Sequence, residues 1–175
     1  MKKLPPVLLA LTLLAGGILW YSTAGTEEAR IRKMAEEQEA ALTGLVHLCQ
    51  TLRGIERWEM LPGGTPCAGY AVEEELFDVP CGEQLADACG AVFAAYPFDG
   101  VYAAYDEAGH VKIEFYQTKK DGKQYSRYYL IYMDPVFQAG FHDSFYNAFQ
   151  DGYAQKNCKI FDNWYYWSKS MTELN

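Results

Sequence analysis

The residues of this chain with the widest chemical reach are five cysteines, Cys49, Cys67, Cys81, Cys89 and Cys158, and three histidines, His47, His110 and His142. Thiols can attack as nucleophiles, ligate metals or pair as disulfides, and spacing decides which of these a sequence supports. A zinc site calls for closely spaced ligands, and only His47-x-Cys49 brings the two residue types together, so no metal is expected. A thiol hydrolase needs a histidine at its cysteine. None of the five cysteines stands in a nucleophile context, and His142-Asp143-Ser144 is too compressed in sequence to form a triad and lacks a G-x-S-x-G elbow. The glycine-containing segments match neither G-x-G-x-x-G nor a Walker A pattern, so no nucleotide cofactor is expected. Disulfides are the chemistry left. Cys67 and Cys81 bracket an irregular stretch and form the first expected bridge, with Cys89 to Cys158 as the second, although spacing alone does not decide the connectivity. Cys49 lies on a helical stripe and reads as a small buried hydrophobe.

A second group of residues suits binding rather than reaction. Residues 91–175 hold 22 of the 27 aromatics, 12 of the 14 tyrosines among them. Two hairpins arrange many of these. Val101 to Tyr105 pairs with His110 to Thr118 across Asp106-Glu107-Ala108-Gly109, and Thr118 pairs with Lys123 across Lys119-Lys120-Asp121-Gly122. In that register Tyr102, Ala104, Val111, Ile113, Phe115, Tyr128, Leu130 and Tyr132 share a core face, and Glu114 faces Arg127 on the other. The outer face then presents Tyr105, Tyr116, Tyr125 and Tyr129 around Arg127. Tyrosine combines flat apolar area with a polar tip, so these five residues are the candidate platform for a sugar ring or an extended peptide.

The elements that position these groups follow from periodicity. From Thr26 to about Glu59, Ile31, Met34, Gln38, Ala41, Leu45, Leu48, Leu52 and Ile55 recur in steps of three and four, widened by Ala35, Leu42 and Cys49. This spacing predicts one long helix, with charged first turns over 26–39 standing clear as a stalk. Leu85, Cys89, Val92, Phe93 and Tyr96 predict a shorter helix closed by Pro97. A three-strand meander over 101–133 follows. Beyond it come a short helix capped by Asp143 or Ser144, presenting Phe145, Ala148 and Phe149, and a further strand near 164–168. The fold class is α+β, two helices on an antiparallel sheet of about four strands.

Address comes from the first 25 residues. Lys2 and Lys3 precede an uncharged, largely apolar run from Leu4 to Tyr21, and no acidic residue appears before Glu27. This is the layout of a signal anchor, or of a signal peptide cut after Ala24. Eighteen residues of helix span about 27 Å, close to a bilayer's hydrocarbon core. Either reading places a single domain over 40–175 outside the cytoplasm, as a single-pass membrane protein held by residues 4–21 or as a secreted one. The remainder carries 13 basic against 23 acidic residues, which argues against nucleic acid as a partner. The expected function is non-enzymatic binding of a partner protein or a cell-envelope glycan. The alternatives are an assembly subunit using helix 31–55 as an oligomer seam, and a secreted thiol or other hydrolase.

Overall fold

The computed structural model describes residues 26–69, 77–138, 146–150 and 153–172. The leader over 1–25 therefore lies outside the described residues, as do His142, Asp143, Ser144 and Phe145. Among the described residues no helix is long and apolar enough to cross a membrane. Among the described residues three helices, α1 (Glu27–Glu37), α2 (Glu39–Thr51) and α3 (Gly82–Ala95), accompany nine strands. The strands are β1 (Arg57–Met60), β2 (Cys67–Gly69), β3 (Phe77–Asp78), β4 (Gly100–Tyr105), β5 (Val111–Asp121), β6 (Gln124–Met133), β7 (Tyr146–Gln150), β8 (Tyr153–Phe161) and β9 (Trp164–Thr172). They form one antiparallel sheet in the order β3-β2-β1-β4-β5-β6-β9-β8-β7. The fold is α+β, with more strands than the sequence suggests.

The helical stripe is real, but it bends at Gln38 and ends at Thr51. Thr26 caps α1 by accepting from the Ala29 amide at 3.2 Å, and Glu27 and Glu28 face the positive end of its dipole. The charged turns do not stand clear as a stalk. Ile31, Met34 and Ala35 are buried, and Leu42, Leu45 and Cys49 continue the same buried side along α2. Glu27 completes the docking: its carboxylate accepts from the Tyr96 hydroxyl and the Lys119 ammonium, tying the first turn of α1 to β5. The helix expected up to residue 59 gives way to strand β1, which pairs with both β2 and β4. Gly54 turns the chain at φ 72, and Trp58 and Met60 point inward at period two, a strand spacing inside what reads as a helix tail.

Register decides which face each aromatic occupies. The β5–β6 hairpin pairs Asp121 with Gln124 and Thr118 with Arg127, four residues out of step with the expected pairing of Thr118 with Lys123. An even offset leaves the faces unchanged. Val111, Ile113, Phe115, Leu130 and Tyr132 therefore do line the core, but Glu114 stands opposite Ile131 rather than Arg127. The β4–β5 hairpin is out by one. Tyr105 pairs with Val111, so His110 belongs to the loop, where Asp106 accepts its amide at 2.8 Å and contacts its ring Nδ1 at 2.8 Å. That single residue reverses β4: Val101, Ala103 and Tyr105 face the helices, and Tyr102 and Ala104 face away.

Leu85, Cys89 and Val92 of α3 close the core from the helix side, as their spacing predicts. Its N-cap, Cys81, sits at φ 59 and ψ 28, a left-handed conformation that costs a non-glycine residue roughly 1–3 kcal/mol. The short helix expected from Asp143 or Ser144 is replaced by a strand, since Ala148 and Phe149 belong to β7, paired with β8; a single 3-10 turn over Pro135–Phe137 follows Asp134. The strand expected near 164–168 is β9, extended to Thr172.

Candidate ligand-binding face

The sheet has a helix-covered face and an opposite face, and the candidate residues divide between them. Tyr116, Tyr125, Arg127 and Tyr129 lie on the face turned away from the helices, and Tyr105 does not. Its hydroxyl accepts from Trp58 Nε1 at 3.2 Å within the helix-side packing. The Tyr105 side chain also borders a groove of about 780 Å³ at the end of the sheet, with Arg53, Arg57 and Asp106. The one-residue step in the β4–β5 hairpin is the physical reason for this correction.

Across the strands the remaining residues fall into rows. Tyr116 pairs with Tyr129, and Tyr129 with Trp167. One step toward the β5–β6 turn, Thr118 pairs with Arg127, and Arg127 with Lys169. The next row pairs Lys120 with Tyr125. An aromatic row thus runs beside a cationic one, with about 4.8 Å between successive strands. Trp167 and Lys169 complete the arrangement and were not among the candidate ligand-binding residues read from sequence. Their signal is the period-two alternation of Tyr165, Trp167 and Lys169 on a strand that was itself legible.

Local contacts hold these groups in place. Tyr129 stacks on Trp167 with ring centres 4.6 Å apart and planes at 25°. Tyr129 is 6% exposed, so it backs Trp167 from the neighbouring strand rather than offering a free ring, whereas Trp167 is half-buried. Lys169 Nζ lies 5.9 Å from the Trp167 ring centre, and Lys120 Nζ lies 4.6 Å from that of Tyr125 and donates to its hydroxyl at 2.6 Å. Arg127 Nε donates to Thr118 Oγ1 at 3.2 Å. Thr118, Tyr125, Ser126, Arg127 and Lys169 enclose a depression of about 160 Å³. Toward the other end of this face Ile131, Met133 and Tyr165 are buried, with Phe137 packed on them.

Glu114 is the exceptional group on this face. Its side chain is 2% exposed, and it is the most deeply buried of the described polar residues, which include Gln117, Asn157 and Ser168 of the same sheet. It pairs with the Lys112 ammonium and accepts from the Tyr102 hydroxyl. Burial, and then the bond to Glu114, push the Tyr102 hydroxyl well above its ordinary pKa, so Tyr102 stays a donor at any physiological pH.

Three of the five cysteines, Cys49, Cys89 and Cys158, are buried. Cys49 and Cys89 are fully buried on α2 and α3. Burial pushes the Cys49 thiol up to about 12, and drives Cys89 upward as well, with Cys49 as its next contributor. Cys158 is pushed up to about 11 by burial and then by Glu28, and it accepts from Arg32 Nη2 at 3.3 Å. Its described side-chain hydrogen-bond partners are Glu28 and Arg32, and both it and Cys89 are free thiols. His47 is exposed on α2, and His110 is engaged by Asp106. Among the described residues no group of three or more His, Cys, Asp and Glu side chains is placed to hold a metal ion. A comparison with known protein families, curated proteins and solved structures finds no match to this chain.

Proposed function

We propose that this chain is a non-enzymatic extracytoplasmic domain, membrane-tethered or secreted, that binds an anionic envelope glycan on the sheet face turned away from its helices. The observation that carries the reading is the Arg127–Lys169 cross-strand pair, flanked by Tyr125 and Trp167, in a chain of net charge −8. Two adjacent cations in cross-strand register repel each other unless an anion lies between them. Half-buried aromatic rings beside them offer flat apolar area for the C–H faces of a sugar. The ligand class is therefore a polymer carrying carboxylate or phosphate groups.

The oligomer-seam alternative has less to stand on, because the apolar side of helix 31–55 is already taken up by the chain's own core. The hydrolase alternative lacks a thiol with a histidine partner among the described hydrogen bonds.

A titration of the full chain with alginate oligosaccharides, and with neutral oligosaccharides of equal length, tests the reading. Alginate is expected to bind, more weakly as salt rises through the range where the Debye length falls below about 8 Å. Arg127→Glu and Lys169→Glu should each weaken binding at least tenfold. Equal binding of the neutral sugar, or indifference to both charge reversals, would overturn the proposal.

A further inference from the structure

Cys67 and Cys81 flank one seam of the fold, where the β2–β3 edge leads into α3. Cys67 opens β2 and stands opposite Asp78 of β3, the outermost strand of the sheet. Only Val79 and Pro80 separate Asp78 from Cys81, and the chain turns through Pro80 and Cys81 into α3. The neighbours of the two cysteines come together: a Cβ added at Gly82 would lie 4.0 Å from Pro66 Cδ. Cys67 and Cys81 also differ from the other three cysteines in reaching solvent, Cys67 half-buried and Cys81 exposed.

Two local features need an explanation that the reduced chain does not supply. Cys81 occupies the left-handed region without glycine's freedom, and its side chain makes no capping bond to α3. Cys67 Sγ contacts only the Thr65 carbonyl in the described hydrogen bonds, at 3.7 Å, a weak interaction easily given up. A covalent tie between the two side chains accounts for both.

We infer that Cys67 and Cys81 form a disulfide that staples the β2–β3 edge of the sheet to the start of α3. In the structure described here both are free thiols. Oxidation removes two protons and two electrons from the pair and forms one S–S bond. The acceptor is the disulfide of a thiol oxidase or of oxidised glutathione, which is reduced to two thiols by way of a mixed disulfide. The ring so closed runs from residue 67 to residue 81. It secures an edge strand of only two residues, which pairing alone holds weakly. The inference rests on the extracytoplasmic address proposed above, since a reducing compartment would keep the thiols apart.

Two measurements separate the failure of the bridge from the failure of the address. The purified full chain in detergent is equilibrated with oxidised glutathione, alkylated with N-ethylmaleimide under denaturing conditions, digested and analysed by mass spectrometry. A Cys67–Cys81 linked peptide is expected, with Cys49, Cys89 and Cys158 alkylated. Five alkylated cysteines, or Cys67 joined to a different partner, would overturn the bridge. The same alkylation on intact cells reads the address: a bond that forms in buffer but is absent in cells overturns the extracytoplasmic reading alone. As a second readout, reductant should lower the Tm of the oxidised wild type by about 6–12 °C. It should leave Cys67→Ser and Cys81→Ser unmoved, and an equal shift in these variants would also overturn the bridge.

Discussion

Two acidic side chains show how single residues tie this fold together. Glu114 is enclosed on the sheet face away from the helices, and Tyr102 and Lys112 are its described partners. Removing the Tyr102 hydroxyl leaves a buried carboxylate short of a donor, so Tyr102→Phe should cost about 1–3 kcal/mol in urea denaturation. Tyr125→Phe, at the half-exposed end of the same face, should cost well under 1 kcal/mol in the same assay. Glu27 makes a pH-dependent contribution. Its burial acts to raise its pKa, but hydrogen bonds from Lys119 and Tyr96, with the charges of Lys119 and Arg30, outweigh that and hold it below the ordinary 4.5. Since the folded value lies below the unfolded one, the stabilisation is complete above about pH 4.5 and disappears as pH falls through the folded value. Glu27→Gln should therefore flatten the acid limb of the stability curve below pH 4.5 and leave its shape near neutrality unchanged. Neither site was legible in the sequence, because each joins residues brought together by strand pairing or helix docking.

At the scale of elements, the apolar stripe from Ile31 to Ile55 was legible and its placement was not. Steps of three and four define a helix face regardless of what covers it. Whether the first, charged turns project or dock depends on Tyr96 and Lys119, which arrive from other elements. Ile31, fully buried on α1, provides the check. Ile31→Ala should lower stability by about 2–5 kcal/mol, whereas a free stalk would lose almost nothing. Exposed Glu36→Ala, on the same helix, is the control and should stay within about 0.5 kcal/mol. Strand faces were equally sensitive to context. The four-residue offset of β5 against β6 preserved every facing, while the single residue His110, held in its loop by Asp106, turned β4 over and moved Tyr105 to the helix side.

For the whole molecule, the proposal joins an export leader to a cationic patch on an acidic domain. Residues 26–175 carry a ten-charge acidic excess, yet Lys120, Arg127 and Lys169 share one end of one sheet face. Such a patch keeps its local attraction for anions only over about a Debye length, so contact with the ligand has to be intimate. Intact mass of the protein from its native host provides the check on address. A mass matching residues 25–175 is expected for a cleaved leader, and the full-length mass in the membrane fraction for an anchor. Full-length protein free in the cytosol would remove both readings.

The sequence by itself determined the α+β class, the buried sides of the helices, the central strands and the group of tyrosines around Arg127. These are properties of local periodicity, which needs no knowledge of the neighbours. Only the tertiary structure decided that Tyr105 leaves that group and that Trp167 and Lys169 join it. It also stacked Tyr129 against Trp167 and gave Glu114 its partners. The reason is that strand register assigns neighbours across the sheet. A register is selected by the sum of loop geometry and core packing over many residues, and no short stretch of sequence contains that sum.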